Sequence, residues 1–168
     1  MIAHYVCKIE KSMPYIIDGH NLIPKIRGMS LSSMDDEIQL VGLLQEFCRL
    51  KRQSVEVFFD GALEGQSGTR KIGMIAVHFI RKGKTADEAI IHKLKNMKDR
   101  VKNLTVVTSD HHILIEARYL GAKVMASDEF ARLLNTPSIV EKGNIKDEQK
   151  ISDREVDEWL KEFEKGKR

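Results

Sequence analysis

Cysteine is scarce in this chain, and the two cysteines stand far apart. Cys7 and Cys48 are the only ones among 168 residues, and they form no C-x-x-C pair. Structural zinc sites and disulfide frameworks need several cysteines at short spacings. Neither is therefore expected, and free thiols are the simpler expectation.

Long apolar runs are missing as well. His4 and Lys8 interrupt the N-terminal segment MIAHYVCKIEKS, so its apolar stretch is too short for a signal peptide or a membrane span. A cytoplasmic protein without a membrane partner is expected. The composition, 42% hydrophobic and 32% charged, is typical of a globular protein. The length predicts one domain plus a tail.

Acidic residues are absent from one segment, 65–86, although basic residues are frequent there. Over residues 1–140 there are 20 Lys and Arg against 16 Asp and Glu, whereas residues 141–168 have 8 against 9. A basic stretch favours a polyanionic partner such as RNA. Taken alone, it fits a solvated loop equally well. The basic residues of the segment are Arg70, Lys71, Arg81, Lys82 and Lys84.

Short runs of branched and aromatic residues alternate with helical patterns. Such alternation predicts an α/β fold, a three-layer α/β/α sandwich around a central, mostly parallel sheet of about five strands. The five runs span residues 15–17, 55–59, 74–80, 104–107 and 122–125.

Helix signals lie between these runs. A stripe of apolar residues three or four apart predicts a helix that ends around Arg52. The sequence Thr85-Ala-Asp-Glu88 predicts a capping box at the start of the next helix. Another helix should follow Asp110 and end at Gly121, and a short one should begin at Ser127.

The chain divides into four predicted parts. Residues 1–13 form an N-terminal extension, and 14–135 form the main domain. Residues 136–151 are polar and are typical of a surface linker. Residues 152–168 predict a C-terminal helix that docks through an apolar stripe containing Trp159.

Four aspartates follow the predicted strands. Asp18, Asp60 and Asp110 come at strand ends, and Asp87 lies in the first turn of a helix. In parallel α/β sheets, ligands bind beyond the carboxyl ends of the strands. Each aspartate alone also suits a turn, a cap or a helix dipole.

The joint pattern of carboxylates favours a metal site. Several carboxylates buried together repel one another unless cations or protons compensate them. Oxygen ligands suit Mg²⁺ or Mn²⁺ better than zinc. Such an ion can activate water and neutralise charge on a phosphate, so phosphodiester hydrolysis is the expected reaction class.

Four segments together resemble the motifs of the NYN/YacP-like family of PIN-like ribonucleases. The resemblance covers roughly residues 14–135, and it implies a PIN-like nuclease domain with metal-dependent endoribonuclease activity. The segments are Ile16-Ile-Asp-Gly-His-Asn-Leu-Ile23, Val57-Phe-Phe-Asp-Gly61, Lys84-Thr-Ala-Asp-Glu88 and Val106-Val-Thr-Ser-Asp110.

The resemblance also implies roles for individual residues. Asp18, Asp60, Asp87 and Asp110 would be catalytic and would hold Mg²⁺ or Mn²⁺. By the same resemblance, Asn21, Thr85 and Ser109 would orient the site or contact phosphate. From the basic segment, and not from the resemblance, we expect RNA phosphates to be bound by Arg70, Arg81, Lys82 and Lys84.

Other polar residues near these motifs have competing interpretations. Glu88 is a secondary candidate for the site, but its spacing from Thr85 favours a capping role. His112 has the spacing of a helical metal pair with Glu116, but no third ligand is apparent, so a solvated or packed histidine is expected. The expected partner is RNA, free or within a ribonucleoprotein. The oligomeric state stays open, a homodimer included.

Three other functions fit parts of the sequence. A non-catalytic RNA-binding or protein-interaction module of the same fold is the chief alternative. A haloacid dehalogenase-type phosphatase would use Asp18 covalently, but His20 stands where its second aspartate belongs. A dinucleotide-binding domain would need a glycine-rich turn after the first strand, which Asp-Gly-His-Asn does not provide.

Overall fold

A six-stranded sheet organises the part of the chain that the computed structural model describes, residues 14–32 and 34–135. The strand order is β3-β4-β2-β1-β5-β6. All neighbouring strands are parallel except β3 and β4, which form an antiparallel hairpin. The strands are β1 (Tyr15–Asp18), β2 (Val55–Ala62), β3 (Gly68–Ile72), β4 (Ile75–Arg81), β5 (Thr105–Val107) and β6 (Lys123–Met125).

Helices cover both faces of this sheet. Two short 3₁₀ segments, Ile23–Lys25 and Lys98–Asn103, extend the first and third α-helices. The predicted three-layer α/β/α sandwich with a mostly parallel sheet is confirmed. The α-helices are α1 (Gly19–Leu22), α2 (Met34–Lys51), α3 (Ala86–Met97), α4 (His111–Tyr119) and α5 (Ser127–Leu134).

Two hydrophobic cores separate the three layers. On one face, α2 and α5 pack on the sheet through residues such as Leu44 and Phe130, both fully buried. On the other face, α3 and α4 pack through Ile90 and Ile113. Successive strand residues point to opposite faces, so Ile16 joins the second core while its neighbour in β1 joins the first.

The strand count differs from the sequence prediction, because β3 was missed. Its residues, Gly-Thr-Arg-Lys-Ile, are exposed or half-buried and lie at the edge of the sheet. An edge strand that buries neither face has no apolar alternation for sequence reasoning to detect. The difference is small, since the other five strands fall at the predicted places.

Some predictions lie outside the described residues. These are the N-terminal extension 1–13, the linker 136–151 and the docking helix 152–168. Within residues 14–32 and 34–135, no helix combines the length and apolar character that a membrane crossing requires.

Strand order decides where chemistry can occur. β1 lies between β2 and β5, and Tyr15 is in register with Val55 on one side and Thr105 on the other. The carboxyl ends of these three parallel strands therefore meet at one edge of the sheet, where ligands usually bind in such folds.

Candidate functional site

Asp18 lies at the centre of this edge. It ends β1 and is only 6% exposed. Its carboxylate accepts a hydrogen bond from the backbone N–H of Asn21 at 3.3 Å and one from the Thr108 hydroxyl at 3.5 Å. The next residue must be small, because a Cβ on Gly19 would lie 2.2 Å from the Phe59 ring. The Asp-Gly sequence thus allows α1 to pack tightly beside Asp18.

Asp60 occupies a bulge in β2. Phe59 pairs with Phe79 and Ala62 pairs with Arg81, so β2 has one residue more than β4 in this interval. Gly61 takes a φ of 79°, which glycine adopts without strain. Bulges redirect side chains near functional sites. Asp60 accordingly sits within the strand and not just beyond its end.

Asp87 and Asp110 come from helix starts. Asp110 is the N-cap of α4, and its Oδ1 accepts the backbone N–H groups of His112 at 2.8 Å and Ile113 at 3.1 Å. Asp87 is half-buried in the first turn of α3. The two helices are packed side by side on one face of the sheet.

Asp87 and Asp110 lie close together, and His112 joins them. One ligand atom from each of these three residues falls within 4.8 Å of the others, a grouping that could hold a metal ion. His112 is exposed, as expected of a solvated histidine, but its proximity to Asp87 was missed. Its position two residues after a predicted N-cap aspartate was the available signal.

Asn21 connects three segments at this edge, namely α1, the loop before α4 and the start of α5. Its Oδ1 accepts hydrogen bonds from the Ser109 backbone N–H at 2.8 Å and from the Ser127 hydroxyl at 2.7 Å. The Ser127 backbone N–H donates to the Ser109 hydroxyl at 3.2 Å. Ser127 is fully buried; the sequence predicted it as the start of a helix but not its hydrogen bond to Asn21. The network fixes the segment leading to Asp110 against α1 and α5.

Thr85 and Glu88 form the capping box of α3. The Glu88 backbone N–H donates to the Thr85 hydroxyl at 3.2 Å, and the Glu88 carboxylate accepts from the Thr85 backbone N–H at 3.4 Å. This arrangement is the capping role that the sequence favoured for Glu88. Both side chains serve the helix start that presents Asp87.

Three predicted basic residues flank the acids. Arg81 ends β4, and Lys82 and Lys84 lie in the turn between β4 and α3; all three are exposed, and we call residues 81–84 the basic turn. The Lys82 backbone N–H donates to the carbonyl of Ala62 at 2.9 Å, which ties this turn to the end of β2. Arg70 does not join them. Its guanidinium lies 5.7 Å from the Phe79 ring centroid, on the β3–β4 hairpin.

The charges of neighbouring aspartates at this edge shift the pKa values of Asp18 and Asp87. The pKa of Asp18 is raised to about 6, chiefly by burial and in part by the charges of Asp87 and Asp60, against the opposing effects of the Asn21 N–H and His20. The pKa of Asp87 is also raised, first by burial and then by Asp110 and Asp60. Like charges and burial both disfavour ionised carboxylates. These charges link all four predicted acids through Asp87, whereas three ligand atoms come within 4.8 Å of one another only in the group of Asp87, Asp110 and His112 among the described residues.

Lysine and arginine do not neutralise this group. Among the described residues, none of either type forms an ion pair within 4.0 Å with Asp18, Asp60, Asp87 or Asp110. His20 contacts Asp60, and His112 approaches Asp87. The group carries more negative charge than its neighbours offset, so its donor set fits a divalent cation.

A different carboxylate, Glu56, is fully compensated. It lies on β2 under α3, where the Lys93 ammonium donates to it at 2.6 Å and the His78 imidazole contacts it at 2.8 Å. Burial raises the pKa of Glu56, but these two hydrogen bonds outweigh burial and lower it overall. The Phe58 and His78 rings stack with centroids 4.3 Å apart.

The fold and this edge define a class of protein. A largely parallel sheet, covered by helices on both faces and carrying aspartates at its carboxyl edge, is the arrangement of a PIN-like α/β domain. The chain belongs to the family of the YacP-like NYN domain, whose model matches residues 15–167. This is a family of ribonuclease domains, so membership supports a nuclease role in general.

Solved structures show the same fold. The crystal structure of Rae1 (YacP) from Bacillus subtilis is similar with a TM-score of 0.62 at 21% identity, covering 91% of this chain and 84% of that one. The structure of a tryptophan-to-leucine mutant of the same Bacillus subtilis protein has a TM-score of 0.59 at 21% identity and covers 77% of each chain. No curated protein matches the sequence.

Proposed function

We propose that this protein is a metal-dependent endoribonuclease that hydrolyses RNA at the four-aspartate edge. The observation that carries the proposal is the group formed by Asp18, Asp60, Asp87 and Asp110. These carboxylates share one field, and no lysine or arginine among the described residues pairs with them. Family membership supports the nuclease part of the proposal.

The donor set suits Mg²⁺ or Mn²⁺. Carboxylate oxygens dominate it, and the imidazole of His112 adds one nitrogen beside Asp87 and Asp110. When bound, such an ion supplies an activated water and charge stabilisation at the phosphate. The residues that would hold it are the four aspartates, among which Asp87 and Asp110 bring ligand atoms within 4.8 Å of each other.

The residues around the acids would bind and orient RNA. Arg81, Lys82 and Lys84 are exposed beside the acids, where they can contact backbone phosphates on either side of the scissile bond. Asn21 and Ser109 hold the segment that leads to Asp110. Thr85 fixes the start of α3, and Glu88 completes its cap. Arg70 would contact RNA only at the more distant hairpin.

RNA cleavage tests this proposal. A mixed-sequence RNA labelled at either end is incubated with Mg²⁺ or Mn²⁺ and with wild type, Asp18→Asn, Asp110→Asn or Asp99→Asn. Asp99 is exposed in the 3₁₀ segment after α3, so its variant is the matched control. Internal cleavage by wild type and the control, lost in both other variants and in EDTA, is expected.

Other outcomes would contradict the proposal. Cleavage that persists in EDTA, or in both Asp18→Asn and Asp110→Asn, would show that the aspartates are not the metal site. RNA binding without any cleavage by wild type would favour the non-catalytic module, because the same basic turn would bind phosphates without hydrolysis.

A further inference from the structure

His20 bridges two carboxylates from different elements. Its Nδ1 lies 2.8 Å from Oδ1 of Asp60 on β2, and its Nε2 lies 2.8 Å from Oε1 of Glu37 on α2. Its ring also packs against Phe59, with centroids 5.4 Å apart. Three contacts thus fix the position of one imidazole. Sequence reasoning singled out neither His20 nor Glu37 for a role in the site.

The contact with His20 restricts the rotation of the Asp60 carboxylate. An ionised carboxylate only accepts hydrogen bonds, so each ring nitrogen that faces one must donate. The imidazole therefore engages one oxygen of Asp60 and fixes the rotation of that carboxylate. Glu37 fixes the ring from the other side, which prevents the imidazole from turning away.

The contact between His20 and Asp60 contributes little to stability. The side chain of Asp60 is 41% exposed, and that of His20 is 29% exposed. Ion pairs at this degree of exposure contribute little to folding because water screens them. The β2 backbone beneath is already held by Phe59, which is 1% exposed. Orientation of the Asp60 carboxylate is the effect that remains.

We propose that His20 is a positioning residue for Asp60, with Glu37 as the residue that holds His20 in place. The inference rests on the proposed function, in which Asp60 contributes to the metal site. Residues that orient metal-binding groups through hydrogen bonds typically change metal affinity or activity by roughly 10–100-fold when mutated. The chain Glu37–His20–Asp60 is such an arrangement.

Direct Mn²⁺ binding and steady-state cleavage test this inference together. Wild type, His20→Phe, Glu37→Gln and the double variant are titrated with Mn²⁺ by calorimetry, and kcat and KM for RNA are then measured. His20→Phe should weaken Mn²⁺ binding about 10-fold and lower kcat similarly. Glu37→Gln should have a smaller effect in the same direction. KM for RNA should stay near wild type.

The double variant separates positioning from independent effects. If Glu37 acts only through His20, adding Glu37→Gln to His20→Phe should change neither Mn²⁺ affinity nor kcat further. The matched controls are His92→Phe, on the exposed part of α3, and Glu46→Gln, which pairs with Arg49 on α2. Both controls should keep wild-type values.

Asp60→Asn distinguishes failure of this inference from failure of the proposed function. If Asp60→Asn loses Mn²⁺ binding while His20→Phe and Glu37→Gln keep it, the positioning role is wrong and the proposed function stands. If Asp60→Asn also binds Mn²⁺ and cleaves RNA like wild type, the proposed function itself is wrong. Additive losses in the double variant would also overturn the inference. Should His20→Phe fail to fold, Glu37→Gln alone decides.

Discussion

One carboxylate, that of Glu56, and the group of four aspartates at the carboxyl edge of the sheet differ in how they are neutralised. Glu56 lies near the amino end of β2 and contacts both Lys93 and His78. Four residues further along the same strand, Asp60 belongs to the edge group and contacts only His20 among the described basic side chains. Glu56 pairs with cations of the fold, whereas no lysine or arginine in residues 14–32 and 34–135 pairs with the edge aspartates.

The pKa values follow this difference. The pKa of Glu56 is lowered because its hydrogen bonds to His78 and Lys93 outweigh burial. The pKa of Asp18 is raised to about 6 because burial and neighbouring aspartates act in the same direction. A compensated carboxylate stabilises the fold, whereas an uncompensated group stores repulsion that a bound cation would relieve. The comparison assigns structure to Glu56 and chemistry to the aspartates.

The largest expected effect is the difference in RNA cleavage between two variants, Asp87→Asn at the edge and Glu56→Gln on β2. Asp87→Asn should lower kcat/KM for RNA roughly 100-fold or more, since metal charge stabilisation is worth several kcal/mol and each ~1.36 kcal/mol is tenfold. Glu56→Gln should cleave RNA at nearly the wild-type rate under conditions where it is folded. Equal losses in both variants would abolish the distinction between the groups.

The pH dependence of stability should reveal the repulsion at Asp18. Its folded-state pKa of about 6 lies above the ordinary value of 3.8, so the folded state binds more protons between these values. The stabilising contribution is present below about pH 4 and is lost as pH rises through 6. As pH rises from about 4 to above 6 in EDTA, wild type should lose this contribution and Asp18→Asn should not. The free energy of unfolding of Asp18→Asn relative to wild type should therefore increase by at most about 3 kcal/mol.

Urea unfolding at pH 4 and pH 7 measures this change. Comparing the difference between the two proteins at each pH removes any constant effect of the amide on the Asn21 N–H bond. A difference that does not depend on pH would show that Asp18 is not destabilised by its surroundings.

Glu56→Gln should have the opposite effect on stability. The amide leaves Lys93 and His78 without their charged acceptor, which should destabilise the fold by about 1–3 kcal/mol at pH 7. Because the folded-state pKa of Glu56 is lowered, this stabilisation is present above the ordinary pKa and is lost as pH falls through the folded value. Glu46→Gln on α2 is the control, and the loss of its solvent-accessible pair with Arg49 should change stability much less, because water screens exposed ion pairs.

His112 should produce the smallest effect. If its imidazole adds one nitrogen to Asp87 and Asp110, then His112→Ala should weaken Mn²⁺ binding by a few fold and Mg²⁺ binding less, because nitrogen ligands favour transition metals. Calorimetric titration with each ion measures both. If the affinity for both ions is unchanged, or if the affinity for Mg²⁺ falls as much as that for Mn²⁺, His112 is not a nitrogen ligand of the site.

Local signals predicted most of the fold. Alternating apolar runs and helical stripes indicated the three layers, because buried residues recur in the sequence at the spacing of strands and helices. The capping box of Thr85 and Glu88 could be recognised directly, since both partners lie within one turn. β3 could not be recognised, because its side chains are exposed or half-buried and show no apolar pattern.

The sequence predicted which aspartates lie at this edge but not their contacts. The four aspartates could be placed at one edge because the strands were expected to be parallel. The contacts of His20 with Glu37 and of Asn21 with Ser127 join residues 17 and 106 positions apart. Such pairs depend on strand order and helix placement, which no local pattern of residues specifies.

Anomalous diffraction from a crystal soaked in Mn²⁺ tests the central claim most directly, because it shows which acidic group attracts a divalent cation. The account predicts an anomalous peak against the carboxylates of Asp87 and Asp110, and none beside Glu56, whose cations are Lys93 and His78. A soaked crystal with no peak at the four aspartates, or with a peak at Glu56 instead, would contradict it.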